Sequence, residues 1–117
     1  MTVESPLMAT DDDRLLTGWG RTAPSRATLR SPSTYDEVAA AIRDAGPRGV
    51  LARGLGRSYG DAAQSGGATV FDMTSLHRFE LDIDSGTVTA DAGASIDEIL
   101  RAIVPAGFFV PVTAGTR

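Results

Sequence analysis

Gly49-Val-Leu-Ala-Arg-Gly-Leu-Gly-Arg-Ser-Tyr-Gly-Asp61 is the stretch on which the reading of this chain turns. Its apolar run, Val50-Leu51-Ala52, predicts a buried strand. The strand opens into a loop with glycine at 54, 56 and 60. Glycine lets successive peptide units turn their N–H groups into one concavity, which is how bare backbone grips a phosphate. Arg53 and Arg57 add positive charge, and the Ser58 hydroxyl adds a donor.

Three kinds of phosphate loop compete for this pattern. A Walker A loop ends in Gly-Lys-Ser/Thr, and the chain has no lysine at all. A Rossmann fingerprint places its third glycine three residues after the second and opens directly into a helix. Here the third glycine, Gly60, comes one residue late, and Asp61-Ala-Ala-Gln-Ser-Gly-Gly67 has no helical pattern. What remains is a glycine loop between strands that holds a pyrophosphate with main-chain N–H groups alone.

The bulk composition sets the frame. The 117 residues carry a net charge of −4, against the basic surface that non-specific nucleic-acid binding needs. No apolar run approaches the roughly 20 residues of a membrane span. Residues 1–14 read as a disordered leader; Asp11-Asp12-Asp13 sits where a secretory signal would be apolar. There is no cysteine and one histidine, His77, so a thiolate nucleophile and a multi-histidine metal site fall away. No lysine base or Schiff base is available either. The C-terminal Pro111-Val-Thr-Ala-Gly-Thr-Arg117 runs without a closing helix, which predicts that residues 15–117 end in mid-domain.

The periodicities give an α+β (mixed α/β) class in the order α-β-β-β-β-α-β. Leu15-Leu-Thr-Gly-Trp-Gly-Arg21 reads as irregular, with Trp19 either capping a core edge or lining a cleft. Thr28–Arg30 is extended and Pro32 ends it. Thr34-Tyr-Asp-Glu37 is a capping box for a helix reaching Ala45, with Val38 and Ile42 on its buried face. Residues 69–73 form a second apolar strand. Phe79, Leu81 and Ile83 alternate with Glu80, Asp82 and Asp84, then turn into a return strand over Thr87–Ala92, a hairpin. The acidic residues read as its solvated face, so no metal site is expected. Ser95-Ile-Asp-Glu98 caps a second helix whose stripe is Ile96, Ile99, Leu100, Ile103 and Val104. Phe108–Val112 is a last extended segment. Both helices are expected on one face of the sheet.

Several stretches together resemble one family. They are Arg30-Ser-Pro32, Ala52-Arg-Gly-Leu-Gly-Arg-Ser-Tyr-Gly-Asp61, Phe71-Asp-Met-Thr-Ser-Leu76, Ala92-Gly-Ala94 and Pro111-Val-Thr-Ala-Gly-Thr116. In this order and spacing they resemble the N-terminal part of the PCMH-type FAD-binding domain of vanillyl-alcohol-oxidase-type flavoenzymes. With Leu16–Ser25 added, the likeness is strongest to actinobacterial members that oxidise a polyprenyl-phosphate-linked ribose on the way to cell-wall arabinan.

The resemblance implies FAD, with its pyrophosphate wrapped by Ala52, Arg53, Gly54, Leu55, Gly56, Arg57, Ser58, Tyr59, Gly60, Asp61 and Ala62. It places Tyr59 near the isoalloxazine, the alternative being an aromatic that packs the loop onto the sheet. Gly115-Thr116 resembles a turn that contacts the flavin. Many relatives carry a flavin-linking histidine where Arg57 stands; a guanidinium stays protonated and cannot replace it, so the FAD is expected to be non-covalent. His77, outside the motif, reads as a surface residue. The implied chemistry is oxidation of a secondary sugar hydroxyl, by hydride loss to flavin with a base taking the proton. No residue in this span reads as that base, and the substrate domain is expected beyond it, so the span alone is expected to be inactive. An NAD-dependent reductase partner, a cytoplasmic or envelope-associated location and peripheral membrane contact follow from the same likeness. The alternatives are another flavin oxidase of this fold acting on a sugar alcohol or lactone, and a non-catalytic nucleotide-binding module.

Overall fold

The computed structural model describes residues 12–115. The elements are β1 (Asp12–Leu16), β2 (Ser25–Arg30), α1 (Tyr35–Arg43), β3 (Val50–Arg53), β4 (Thr69–Asp72), a 3-10 turn at Met73–Ser75, β5 (Phe79–Asp82), β6 (Thr87–Ala90) and α2 (Ile96–Ile103). They fall into two units, 12–75 and 76–115. The class is α+β, with parallel and antiparallel pairing both present.

The first unit is built on a four-stranded sheet in the order β1-β2-β4-β3. β1 runs antiparallel to β2, while β4 is parallel to both of its neighbours. Its interior place explains why Val70 and Phe71 are 0% and 2% exposed. Val70 packs with Leu16 and Ala27, and Leu29 and Leu51 close the cluster. Burying a side chain of that size contributes about 1.5–3 kcal/mol. Pro32 is also fully buried, and the Ser75 hydroxyl donates to its carbonyl at 2.6 Å.

Four sequence expectations change here. β3, read as a buried strand, is the sheet's edge: Val50 and Leu51 are half-buried and Ala52 is exposed. β1 takes in Asp12–Arg14, which the composition assigns to a leader; pairing with β2 holds them, and the rest of that leader lies outside the described residues. On α1, Val38 is half-buried but Ile42 is 60% exposed. Its cap is also asymmetric. Thr34 Oγ1 accepts from the Glu37 N–H at 3.2 Å, but the Glu37 carboxylate accepts from Ser33 N rather than from the cap residue itself.

The second unit holds the β5–β6 hairpin, with Phe79 opposite Ala90 and Leu81 opposite Val88. The Asp82 carboxylate accepts from the amides of Asp84 and Ser85, tying the turn, and hydrogen bonds from Ser85 hold its pKa below the ordinary aspartate value. α2 has a complete capping box between Ser95 and Glu98, and Ile99 and Ile103 are buried. Ile96 and Val104, at the ends of the predicted stripe, stay exposed. The two helices belong to different units, α1 to the first and α2 to the second. Residues 108–112 form no strand among the described residues.

Candidate functional site

The site begins with the connection between β3 and β4. Adjacent parallel strands cannot be joined by a tight turn, because the chain must return the length of the sheet. In most such crossovers a helix makes the return. Here residues 54–68 make it with no helix, and the glycine loop leaves directly from the C-terminal end of β3.

Gly56 is the pivot of that loop. Its φ is +66°, and a Cβ there would run into the Arg53 guanidinium. At Gly54 and Gly60 an added Cβ would meet nothing within 4 Å, so the backbone at both is uncovered. Among the described residues, the main-chain N–H groups of Leu55 to Gly60 donate to no partner. A run of such donors beside open glycines suits the oxygens of a pyrophosphate, so the residues fit the group the sequence implies.

The polar side chains divide in their commitments. Arg53 donates through Nη1 to the Ala63 carbonyl at 2.8 Å and through Nη2 to the Thr17 carbonyl at 2.7 Å. Its charge lies at the loop's base, with two donors spent on backbone. Arg57 is exposed and makes no hydrogen bond or ion pair among the described residues. The Ser58 hydroxyl donates to the Gly60 carbonyl at 3.1 Å, inside the loop. Asp61 and Ala62 are exposed where the loop turns back, and the Asp61 carbonyl accepts from Gln64 N at 3.1 Å. Gln64 Nε2 then bridges to the Ala23 carbonyl and Ser25 Oγ, while its Oε1 is buried without a partner.

A contact the sequence did not announce lies between this loop and the segment after β1. Trp19 N–H donates to the Ser58 carbonyl at 2.8 Å. Gly18 lies against the Ser58 and Gly60 carbonyls, and Gly20 against that of Tyr59, so closely that neither has room for a Cβ. The Trp19 and Tyr59 rings meet edge to face with centroids 5.4 Å apart. Trp19 is 67% and Tyr59 76% exposed, so Trp19 caps no core edge and Tyr59 is not packed onto the sheet. The only sequence signal for this docking is the pair of glycines around Trp19.

Gly115 is exposed and belongs to the second unit; Thr116 lies outside the described residues. His77 is exposed and pairs with Glu98 at 3.5 Å, away from the loop in sequence and role. A cavity of 440 Å³ opens elsewhere in the first unit, beside α1, between Arg30, Glu37, Asp44 and Arg48. None of residues 53–61 lines it, and its mixed charges mark no single ligand.

Comparison with known proteins shows the family. The family described as FAD binding domain matches residues 27–117. The chain is 52% identical over 107 residues to the decaprenylphosphoryl-beta-D-ribose oxidase of Mycolicibacterium smegmatis, an alignment covering 87% of this chain and 23% of that protein. The chain thus spans less than a quarter of the relative's length.

Proposed function

This chain belongs to the FAD-binding domain family, and from that premise we propose that it forms the N-terminal part of the flavin site of a sugar oxidase. The full-length protein, on this reading, is an FAD-dependent oxidoreductase that oxidises the ribose 2′-hydroxyl of decaprenylphosphoryl-ribose in making a cell-wall arabinan precursor. The observation that carries the reading is the run of main-chain donors from Leu55 to Gly60 that have no partner among the described residues, on the helix-free β3–β4 connection. The 52% identity to a protein named for that oxidation supports the substrate class.

The residues divide the work as follows. Main-chain N–H groups of Gly54 to Ser58 hold the pyrophosphate, with Ala52 and Ala62 framing the loop. Tyr59 stands at the loop's far end, and Gly115-Thr116 supplies a second backbone contact to the flavin. Bound FAD supplies the hydride acceptor. The base that takes the hydroxyl proton lies outside these residues, as does the substrate domain. A keto-sugar product needs re-reduction to complete an epimerisation, hence an NAD-dependent reductase as partner. A polyprenyl substrate brings the enzyme to a bilayer surface by peripheral contact. None of the described helices is long and apolar enough to cross a membrane.

The test uses the full-length protein. Purified protein should show the absorbance of oxidised flavin, and anaerobic decaprenylphosphoryl-ribose should bleach it. The 2′-deoxy analogue should not. Bleaching only by a free sugar alcohol or lactone would move the assignment to another oxidase of this fold. A protein that takes up no FAD would leave a non-catalytic nucleotide-binding module.

A further inference from the structure

We infer that the Thr17–Gly20 segment and the Arg53 guanidinium form a brace that sets the shape of the flavin loop. Arg53 is then a positioning residue and not a ligand of the phosphates. The inference rests on the FAD reading above and deepens it.

The brace has three parts. The first is the Arg53 fork. One arm reaches forward ten residues to the Ala63 carbonyl, the other back 36 residues to the Thr17 carbonyl. A planar guanidinium presents its donors in a fixed relation, so satisfying both carbonyls fixes where the two ends lie. The second part is Gly56, whose φ of +66° and missing Cβ let the loop close over that guanidinium. The third is main chain against main chain: Gly18 and Gly20 against the carbonyls of Ser58, Tyr59 and Gly60, with Trp19 N bonded to Ser58 O at 2.8 Å. The segment is itself a closed turn, with Arg21 N–H donating to the Gly18 carbonyl at 3.1 Å and Arg21 at φ 49°.

The Ser58 carbonyl is bonded to Trp19 N, while the N–H groups of Leu55 to Gly60 have no partner among the described residues. A flexible glycine loop would have to be ordered by its ligand, at a cost in affinity; a braced one is ordered beforehand. The Arg53 side chain and the Thr17–Gly20 segment therefore act on FAD affinity by holding the loop's shape, not as ligands of the phosphates.

Full-length Arg53→Lys, Arg53→Met and Gly20→Ala test this, with Gly46→Ala as control because a Cβ at Gly46 meets nothing within 4 Å. FAD affinity is read by flavin-fluorescence titration at low and high salt, well below each variant's melting temperature. Losing preorganisation predicts that Arg53→Lys and Arg53→Met weaken binding alike, by about tenfold or more and independently of salt. Gly20→Ala should weaken it comparably, and Gly46→Ala should match wild type. If Arg53→Lys keeps wild-type affinity and the Arg53→Met loss shrinks in high salt, Arg53 acts as a charge and the brace is wrong. Wild-type affinity in Gly20→Ala overturns it as well, without touching the flavin reading. Wild-type protein that binds no FAD overturns both. Should Gly20→Ala not fold, the lysine–methionine comparison decides alone.

Discussion

At Gly56 the chain combines a left-handed backbone with a side-chain position already filled by the Arg53 guanidinium. The left-handed backbone selects glycine, and the guanidinium at the Cβ position adds to that preference. Gly56→Ala is expected to cost about 1–2 kcal/mol from the backbone conformation alone, more where Arg53 is displaced. Thermal melting of the full-length apoprotein measures this, and an unchanged melting temperature would contradict the loop geometry. Arg57 carries a second prediction. A protonated guanidinium forms no bond to the flavin ring, so acid precipitation should release all FAD into the supernatant. Yellow pellet protein would show a covalent link through some other residue.

Among the elements, β4 bears the first unit. Phe71 is 2% exposed and lies between β2 and β3, with the Arg30 guanidinium 5.7 Å from its ring centre. Phe71→Ala should cost about 3–5 kcal/mol through the cavity it leaves, readable as a shifted denaturation midpoint. In the second unit α2 depends on its cap. Ser95→Ala should cost about 1 kcal/mol and show as faster amide exchange in residues 96–99. The cap also titrates. Hydrogen bonds from Ser95, then the nearby His77, hold the Glu98 pKa below the ordinary glutamate value. A carboxylate with a lowered folded pKa contributes stability above its unfolded pKa and loses it as pH falls through the folded one. Amide protection of α2 should therefore decline on acidification below the glutamate range. Glu98→Gln should flatten that decline, and an equally steep decline in the variant would remove Glu98 as its cause.

For the whole molecule, the described residues divide into two units. The chain covers 23% of the oxidase it resembles. We therefore expect the 117-residue polypeptide, given FAD and decaprenylphosphoryl-ribose, to produce no keto sugar by mass spectrometry, while the full-length protein does. Turnover by the short chain would place the base within these residues after all.

Local patterns carried much of this protein into view. Glycine spacing and the missing lysine eliminated two phosphate loops, because those depend on particular residues at particular offsets. Alternation drew the hairpin, and Ser95 with Glu98 marked α2, because both follow from backbone periodicity within a few residues. Long-range pairing was not legible in the same way. Whether Val50–Arg53 is interior or edge depends on β4 inserting between β2 and β3, and nothing in Val-Leu-Ala-Arg encodes its neighbours. Asp12–Arg14 looked like leader because only their partner β2 makes them a strand. Arg53 looked like a phosphate ligand because its type and place in the motif suit one. Folding brings the Thr17 carbonyl, 36 residues away, within 2.7 Å of it, and that proximity turns a cation in a motif into a brace.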